Sequence, residues 1–210
     1  MKLKKLLPEL ASNIINLRLD QSPKAIQSLA IPKIKSGADM FVLAPDGEGK
    51  TTALAISLVQ FLKSPVEEAP RAIVMVGSKE EAFSLEEQFQ KLAYGLKLRS
   101  FVVFDEGLIH YQKNTIYEGV DLVIGTPLRL NELISTTGIP LTKVRFFAVD
   151  DCHLLTLNQY AQIYRIADNV EKAQYVIFSN EWKDNYERIE ERMMRSPLII
   201  ELEEEMEEEE

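Results

Sequence analysis

The sequence is short of the residues that build disulfides and metal centres. One cysteine, Cys152, and two histidines, His110 and His153, are present in 210 residues. A single thiol excludes an intrachain disulfide and a cysteine-built metal site, and two histidines cannot complete a metal cluster unaided. No apolar run approaches the roughly 20 residues that a membrane span needs. The lysine-bearing opening MKLKKLLPELA has an apolar stretch too short, and broken by Glu9, to serve as a secretory signal. No membrane partner is therefore expected, and the cytoplasm is the expected location. Internal repeats, a Pro/Gly-rich dividing linker and a dense basic patch with interleaved aromatics are also missing. The last of these argues against strong nucleic-acid binding by one domain.

What remains is an ordinary globular composition, 46% apolar and 27% charged, long enough for one well-buried α/β domain and short for two. The net charge of −9 belongs to one end. The last ten residues, ELEEEMEEEE, hold eight Glu and no Lys or Arg, which leaves 24 positive against 25 negative charges elsewhere. A run of like charges cannot bury itself, so 203–210 is expected to be a solvated, disordered tail.

Seven short apolar runs recur along the chain: 41–44, 72–76, 101–104, 121–125, 146–150, 175–179 and 198–200. Runs this continuous suit strands covered on both faces, as in a parallel sheet. The stretches between them suit helices, among them TTALAISLVQFLKS, KEEAFSLEEQFQKLAYG and EWKDNYERIEERMMR. In the second, Ala82, Leu85, Phe89 and Leu92 keep a helical spacing. This alternation predicts an α/β fold with three layers and a mostly parallel sheet of about seven strands. One domain is expected over 1–202, with a helical lead-in over 1–38.

APDGEGKT (44–51) stands where the first strand should hand over to a helix, and fits the phosphate-loop pattern [AG]-x-x-x-x-G-K-[ST]. Gly47 and Gly49 let the backbone turn its N–H groups toward a phosphate, with Pro45, Asp46 and Glu48 filling the loop. The helix that follows aims its unpaired donors at the same anion, beginning with Lys50, Thr51 and Thr52. Lys50 is expected to reach the β- and γ-phosphates of a nucleotide, and the Thr51 hydroxyl to ligate Mg²⁺. FFAVDD places Asp150 and Asp151 at the tip of another strand. Asp150 is expected to hold Mg²⁺ and Asp151 to orient the attacking water.

The order of these elements resembles the first RecA-like domain of DEAD-box RNA helicases over nearly the whole chain. SPKAIQSLAIPKIKSGAD (22–39) looks like the Q motif, which implies that Gln27 reads the adenine edge. GSKEEA (77–82) lies where the family has PTRELA, and GTPLRL (125–130) resembles TPGRL. VDDCH (149–153) stands for VLDEAD, and FSNEW (178–182) for the SAT motif. The resemblance implies an ATP or ADP site. It also implies RNA-backbone contacts from Ser78, Lys79, Thr126 and Arg129, and coupling of nucleotide state to RNA through Ser179.

The sequence also departs from the family pattern. The position that stacks an aromatic ring on adenine falls at Leu10, which leaves at most an aliphatic contact. Asp151 replaces the catalytic Glu and is one methylene shorter, and a misplacement near 1 Å can cost about 100-fold in rate. His153 replaces the last Asp, Glu181 stands in the SAT motif, and Leu128 takes the place of a glycine. In FDEG (104–107) acids replace a glycine pair, which repels phosphate. About thirty residues follow Ser179, too few for the second RecA-like domain that supplies arginine fingers in the family. Arg188, Arg192 and Arg195 read as surface charges. The expected function is an ATP-binding helicase-like domain with weak RNA binding, a poor ATPase and no helicase alone, its missing half supplied by a second protein. The alternative is a non-enzymatic regulatory or adaptor module on the same fold. A small-molecule P-loop kinase fits less well, because 151–175 contains only Arg165 where such an enzyme needs an arginine-rich lid.

Overall fold

A computed structural model of the chain describes residues 3–66 and 69–202; the acidic tail expected at 203–210 lies outside the described residues. Its centre is a sheet of seven strands: β1 (Met40–Leu43), β2 (Ala72–Met75), β3 (Ser100–Val103), β4 (Leu122–Gly125), β5 (Phe146–Val149), β6 (Gln174–Ser179) and β7 (Leu198–Glu201). Each lies within one residue of the apolar run that predicts it. The spatial order is β3-β4-β2-β5-β6-β1-β7, and every neighbouring pair is parallel.

Burial on both faces explains why the strands read as unbroken apolar runs. Side chains alternate across a strand, so Met40 and Val42 of β1 enter one core while Phe41 and Leu43 enter the other. The first core is closed by α1 (Pro8–Asn16), α2 (Ala25–Lys35), α3 (Lys50–Leu62) and α4 (Lys79–Leu92). Ala82, Leu85, Phe89 and Leu92 form the buried stripe of α4, as their spacing predicts. The second core is closed by α5 (Ile109–Tyr117), α6 (Pro127–Ser135), α7 (Leu157–Ala167) and α8 (Asn185–Met193). Helix α3 is apolar on nearly every side because α2, α4 and the sheet all pack on it.

The strand starts are pinned by a buried carboxylate. Asp121, fully buried just before β4, accepts from Arg71 Nη2 at 2.9 Å and from the Arg99 backbone N–H and Nε, each at 3.0 Å. Burial alone raises an aspartate, but here the bonds from Arg99 and Arg71 prevail and hold it below its usual range. Because the sheet is parallel, the loops after β1 to β6 all emerge at the opposite edge, where open α/β sheets bind ligands. Every chemistry-bearing segment of the sequence lies on that edge.

Candidate functional site

The loop after β1 turns twice through conformations that favour glycine. Gly47 has φ 81° and Gly49 φ 82°, values that L side chains adopt at a cost. Gly49 is also crowded, since a Cβ there would lie 2.5 Å from Gln27 Nε2. Gln27 sits in the first turn of α2, 6% exposed, its Oε1 accepting from the Lys24 N–H at 3.2 Å. Gln27 and the loop are thus brought together, and Lys24 and Glu48 form an ion pair across them at 3.6 Å.

Lys50 opens α3 and is 5% exposed. Its ammonium donates to Ala44 O at 2.8 Å, Pro45 O at 3.2 Å, Asp46 Oδ1 at 3.4 Å and Asn180 Oδ1 at 2.5 Å. Asp151 Oδ1 stands 3.8 Å away. The hydrogen bond from Asn180, followed by the Lys50 charge, holds Asp46 below its usual range despite some burial. Asn180 carried no weight in the sequence reading. Its one signal was its place beside Ser179 at the tip of β6, next to the strand that bears the loop.

Thr51 Oγ1 donates to Asp150 Oδ2 at 2.8 Å. Asp150 is 4% exposed, and its Oδ1 is buried with no hydrogen-bond partner, as is Asp151 Oδ1. Burial first, and the charge of Asp151 second, raise Asp150 to about 7. Asp151 is held at φ 44° and ψ 47°, a strained conformation for a residue with a side chain. The Thr51 hydroxyl and the Asp150 carboxylate, one oxygen of which has no hydrogen-bond partner, are donors suited to a hard divalent cation. Thr51 and Asp150 therefore fit Mg²⁺. His153 lies beside them, its Nδ1 accepting from the Asn180 N–H at 3.4 Å, and burial lowers its basicity.

Three expected positions are placed differently. The Thr52 hydroxyl turns to Gln88 Oε1 on α4, at 3.2 Å, away from the loop. Leu10 is fully buried in the first core and has no exposed face for a base to rest on. Arg129, expected to meet RNA phosphate, is only 5% exposed, and its guanidinium donates to Gln112 Oε1 at 2.8 Å, Glu132 Oε2 at 2.5 Å and Gly107 O. The partners that bury it come from α5 and from the loop after β3, which no local pattern reveals.

The remaining residues sit at the tips of β2, β4 and β6. Ser78 caps α4 by accepting from the Glu81 N–H at 3.2 Å, and Thr126 caps α6 by accepting from the Arg129 N–H at 3.4 Å. The Thr126 hydroxyl also donates to Asp105 Oδ2 at 3.2 Å. Lys79 is partly exposed, 3.9 Å from Glu106 and 4.3 Å above the Phe104 ring. Ser179 is fully buried, donates to Glu181 O at 2.8 Å and shares a hydrogen bond of 2.8 Å with the Tyr186 hydroxyl. No helix among the described residues is long and apolar enough to cross a membrane.

Comparison with known proteins identifies the family and the fold. A family model described as DEAD/DEAH box helicase matches residues 24–189. The ATP-dependent RNA helicase dbp3 of Sclerotinia sclerotiorum is 28% identical over 86% of this chain and 31% of its own length. The ATP-dependent rRNA helicase RRP3 of Lodderomyces elongisporus is 29% identical over 94% of this chain and 39% of its own. The chain thus spans about a third of the length of these curated relatives. Among solved structures, a DEAD box protein from Methanococcus jannaschii superposes with a TM-score of 0.86 at 20% identity, over 95% of this chain and 55% of that one. Saccharomyces cerevisiae dbp5, bound to nup159, gle1, IP6 and ADP, gives 0.83 at 23% identity, over 94% and 52%. Both likenesses establish the fold.

Proposed function

The chain belongs to the DEAD/DEAH box helicase family, and from that premise we propose that it is an ATP-binding RecA-like domain, poor at hydrolysis and weak toward RNA when alone. The observation that carries this reading is the meeting of Lys50, Thr51, Asp150 and Gln27 around the loop 44–51. Gly47, Gly49 and the N-terminus of α3 cradle phosphate; Gln27 faces the adenine. The Lys50 ammonium exchanges the Asp46 and Asn180 oxygens for phosphate oxygens. Thr51 and Asp150 would hold Mg²⁺, which would neutralise phosphate charge. Residues 1–202 act as one unit in this role.

Weak hydrolysis follows from Asp151. Its carboxylate is one methylene short of the family's Glu and lies 3.8 Å from Lys50, so it is drawn toward the ammonium and away from an attacking water. An arginine finger adds roughly 10³–10⁵ in turnover in related P-loop enzymes, and we assign that part to a facing domain or a second protein. Ser78, Lys79 and Thr126 give the domain its RNA contacts, too few for strong binding, and Ser179 links the SAT-like segment to the site.

Isothermal titration with Mg-ATP tests the reading. The parent protein should bind and Lys50→Ala should lose binding by about 100-fold, as expected from removal of charge-assisted bonds to phosphate. Absence of binding by the parent protein sinks the proposal. An adaptor role is favoured by one feature, the saturation of Lys50 by four oxygens of its own chain, and predicts that same absence.

A further inference from the structure

We infer that Asp105 and Glu106 fill the phosphate positions at the tips of β2 and β4 and thereby weaken single-stranded nucleic-acid binding at this edge. The inference rests on the RNA-facing role proposed above for Ser78, Lys79 and Thr126. Helices α4 and α6 begin just after the neighbouring strands β2 and β4, capped by Ser78 and Thr126. Two helix N-termini with a lysine and a hydroxyl offer positive charge and donors to an anion. In this chain they are met by its own carboxylates. Asp105 Oδ2 takes the Thr126 hydroxyl at 3.2 Å, and Glu106 Oε2 stands 3.9 Å from Lys79 Nζ.

The segment that carries these acids is built to stay in place. Phe104 O accepts from Gln112 Nε2 at 2.9 Å and from the Gly107 N–H at 3.1 Å. Gly107 O accepts from Arg129, whose Nε is itself fixed on Gln112 at 2.8 Å. Position 107 has no room for a side chain, because a Cβ would lie 1.9 Å from Gln112 Nε2. Phe104 is clamped from outside by the Phe83 ring, at 5.6 Å between centroids, and by the Lys79 ammonium. Arg129, the cation expected on RNA, is thus spent on holding the acids where phosphate would sit. The Lys79–Glu106 pair is exposed and weak by itself, but a tethered carboxylate competes at a high effective concentration. It also repels a phosphate within a few ångströms, well inside the screening length of about 10 Å at 0.1 M salt.

Fluorescence anisotropy with a labelled single-stranded oligouridylate, without nucleotide, tests this. The proteins are the parent, D105N/E106Q, which keeps shape and the Thr126 bond, and D105G/E106G. A third variant adds Lys79→Ala to D105N/E106Q. Both acid-free proteins should bind about tenfold or more tightly at low salt than the parent, with a slope against log salt steeper by about 0.7 for each phosphate contact regained. Lys79→Ala should cancel most of that gain. Equal affinity in the parent and D105N/E106Q overturns the inference, and so does a gain confined to the glycine variant, which would report a loosened loop rather than lost charge. Mg-ATP titration of the same proteins keeps the two readings apart. Loss of the RNA effect with ATP binding intact condemns this inference alone; absent ATP binding with the RNA effect intact condemns only the ATP site.

Discussion

Replacing Asp150 by asparagine removes a buried charge while keeping the side-chain volume and an oxygen for the Thr51 hydroxyl. In the folded chain, burial and the neighbouring Asp151 raise Asp150 from 3.8 to about 7. The unfolded chain releases the same proton near pH 4. Between about pH 4 and 7 the folded state therefore holds one proton more than the unfolded state. Its contribution to stability is complete below that window, falls by about 1.4 kcal/mol per pH unit as the pH rises through it, and levels off above. Asp150→Asn has no such proton to lose. The stability difference in favour of the variant should widen by about 2 kcal/mol between roughly pH 5.5 and pH 8. In a domain of this size that corresponds to about 4–8 °C in Tm. Thermal melts of both proteins in EDTA, at several pH values across the window, measure it. Parallel pH profiles for the parent and Asp150→Asn would refute the placement of a buried carboxylate, one oxygen of which has no hydrogen-bond partner, at the tip of β5.

Further outcomes follow from other parts of the fold. Gly49→Ala forces a side chain into φ 82° and against Gln27. It should cost about 1–3 kcal/mol in urea unfolding and weaken Mg-ATP binding in the same titration. Asp121→Ala leaves Arg71 and Arg99 without the carboxylate that joins three strand starts, at a cost of about 3–5 kcal/mol read from the denaturation midpoint. Arg129→Ala should destabilise by about 2 kcal/mol and speed hydrogen exchange at the amide of Gly107, the residue whose carbonyl it holds. An unchanged exchange rate there would separate Arg129 from the loop it is argued to support.

The sheet was legible because parallel strands are buried on both faces. Phe41 and Val42 point in opposite directions, yet both must be apolar, so the run itself marks the strand. The phosphate loop was legible for a related reason: two glycines and a lysine at fixed spacing answer a local backbone demand. The edge around 104–129 was legible only in part. FDEG marked acids that repel phosphate, and Lys79 and Arg129 matched family positions, but Gln112 reads alone as an ordinary polar residue and no segment names the partners it meets. Only the adjacency of β3, β4 and β2 in the sheet puts Glu106 beside Lys79 and buries Arg129 against Gln112. Leu10 misled for the converse reason. Its spacing from Gln27 matches a family position, but α1 turns it wholly into the core.

The central claim is that this domain grips ATP and leaves it whole. Its most direct measurement saturates the isolated protein with Mg-ATP, with and without single-stranded RNA, and analyses the bound nucleotide after a long incubation. The account predicts that ATP is recovered intact in both cases. Rapid conversion to ADP that RNA accelerates, and that disappears in Asp150→Asn, would contradict it.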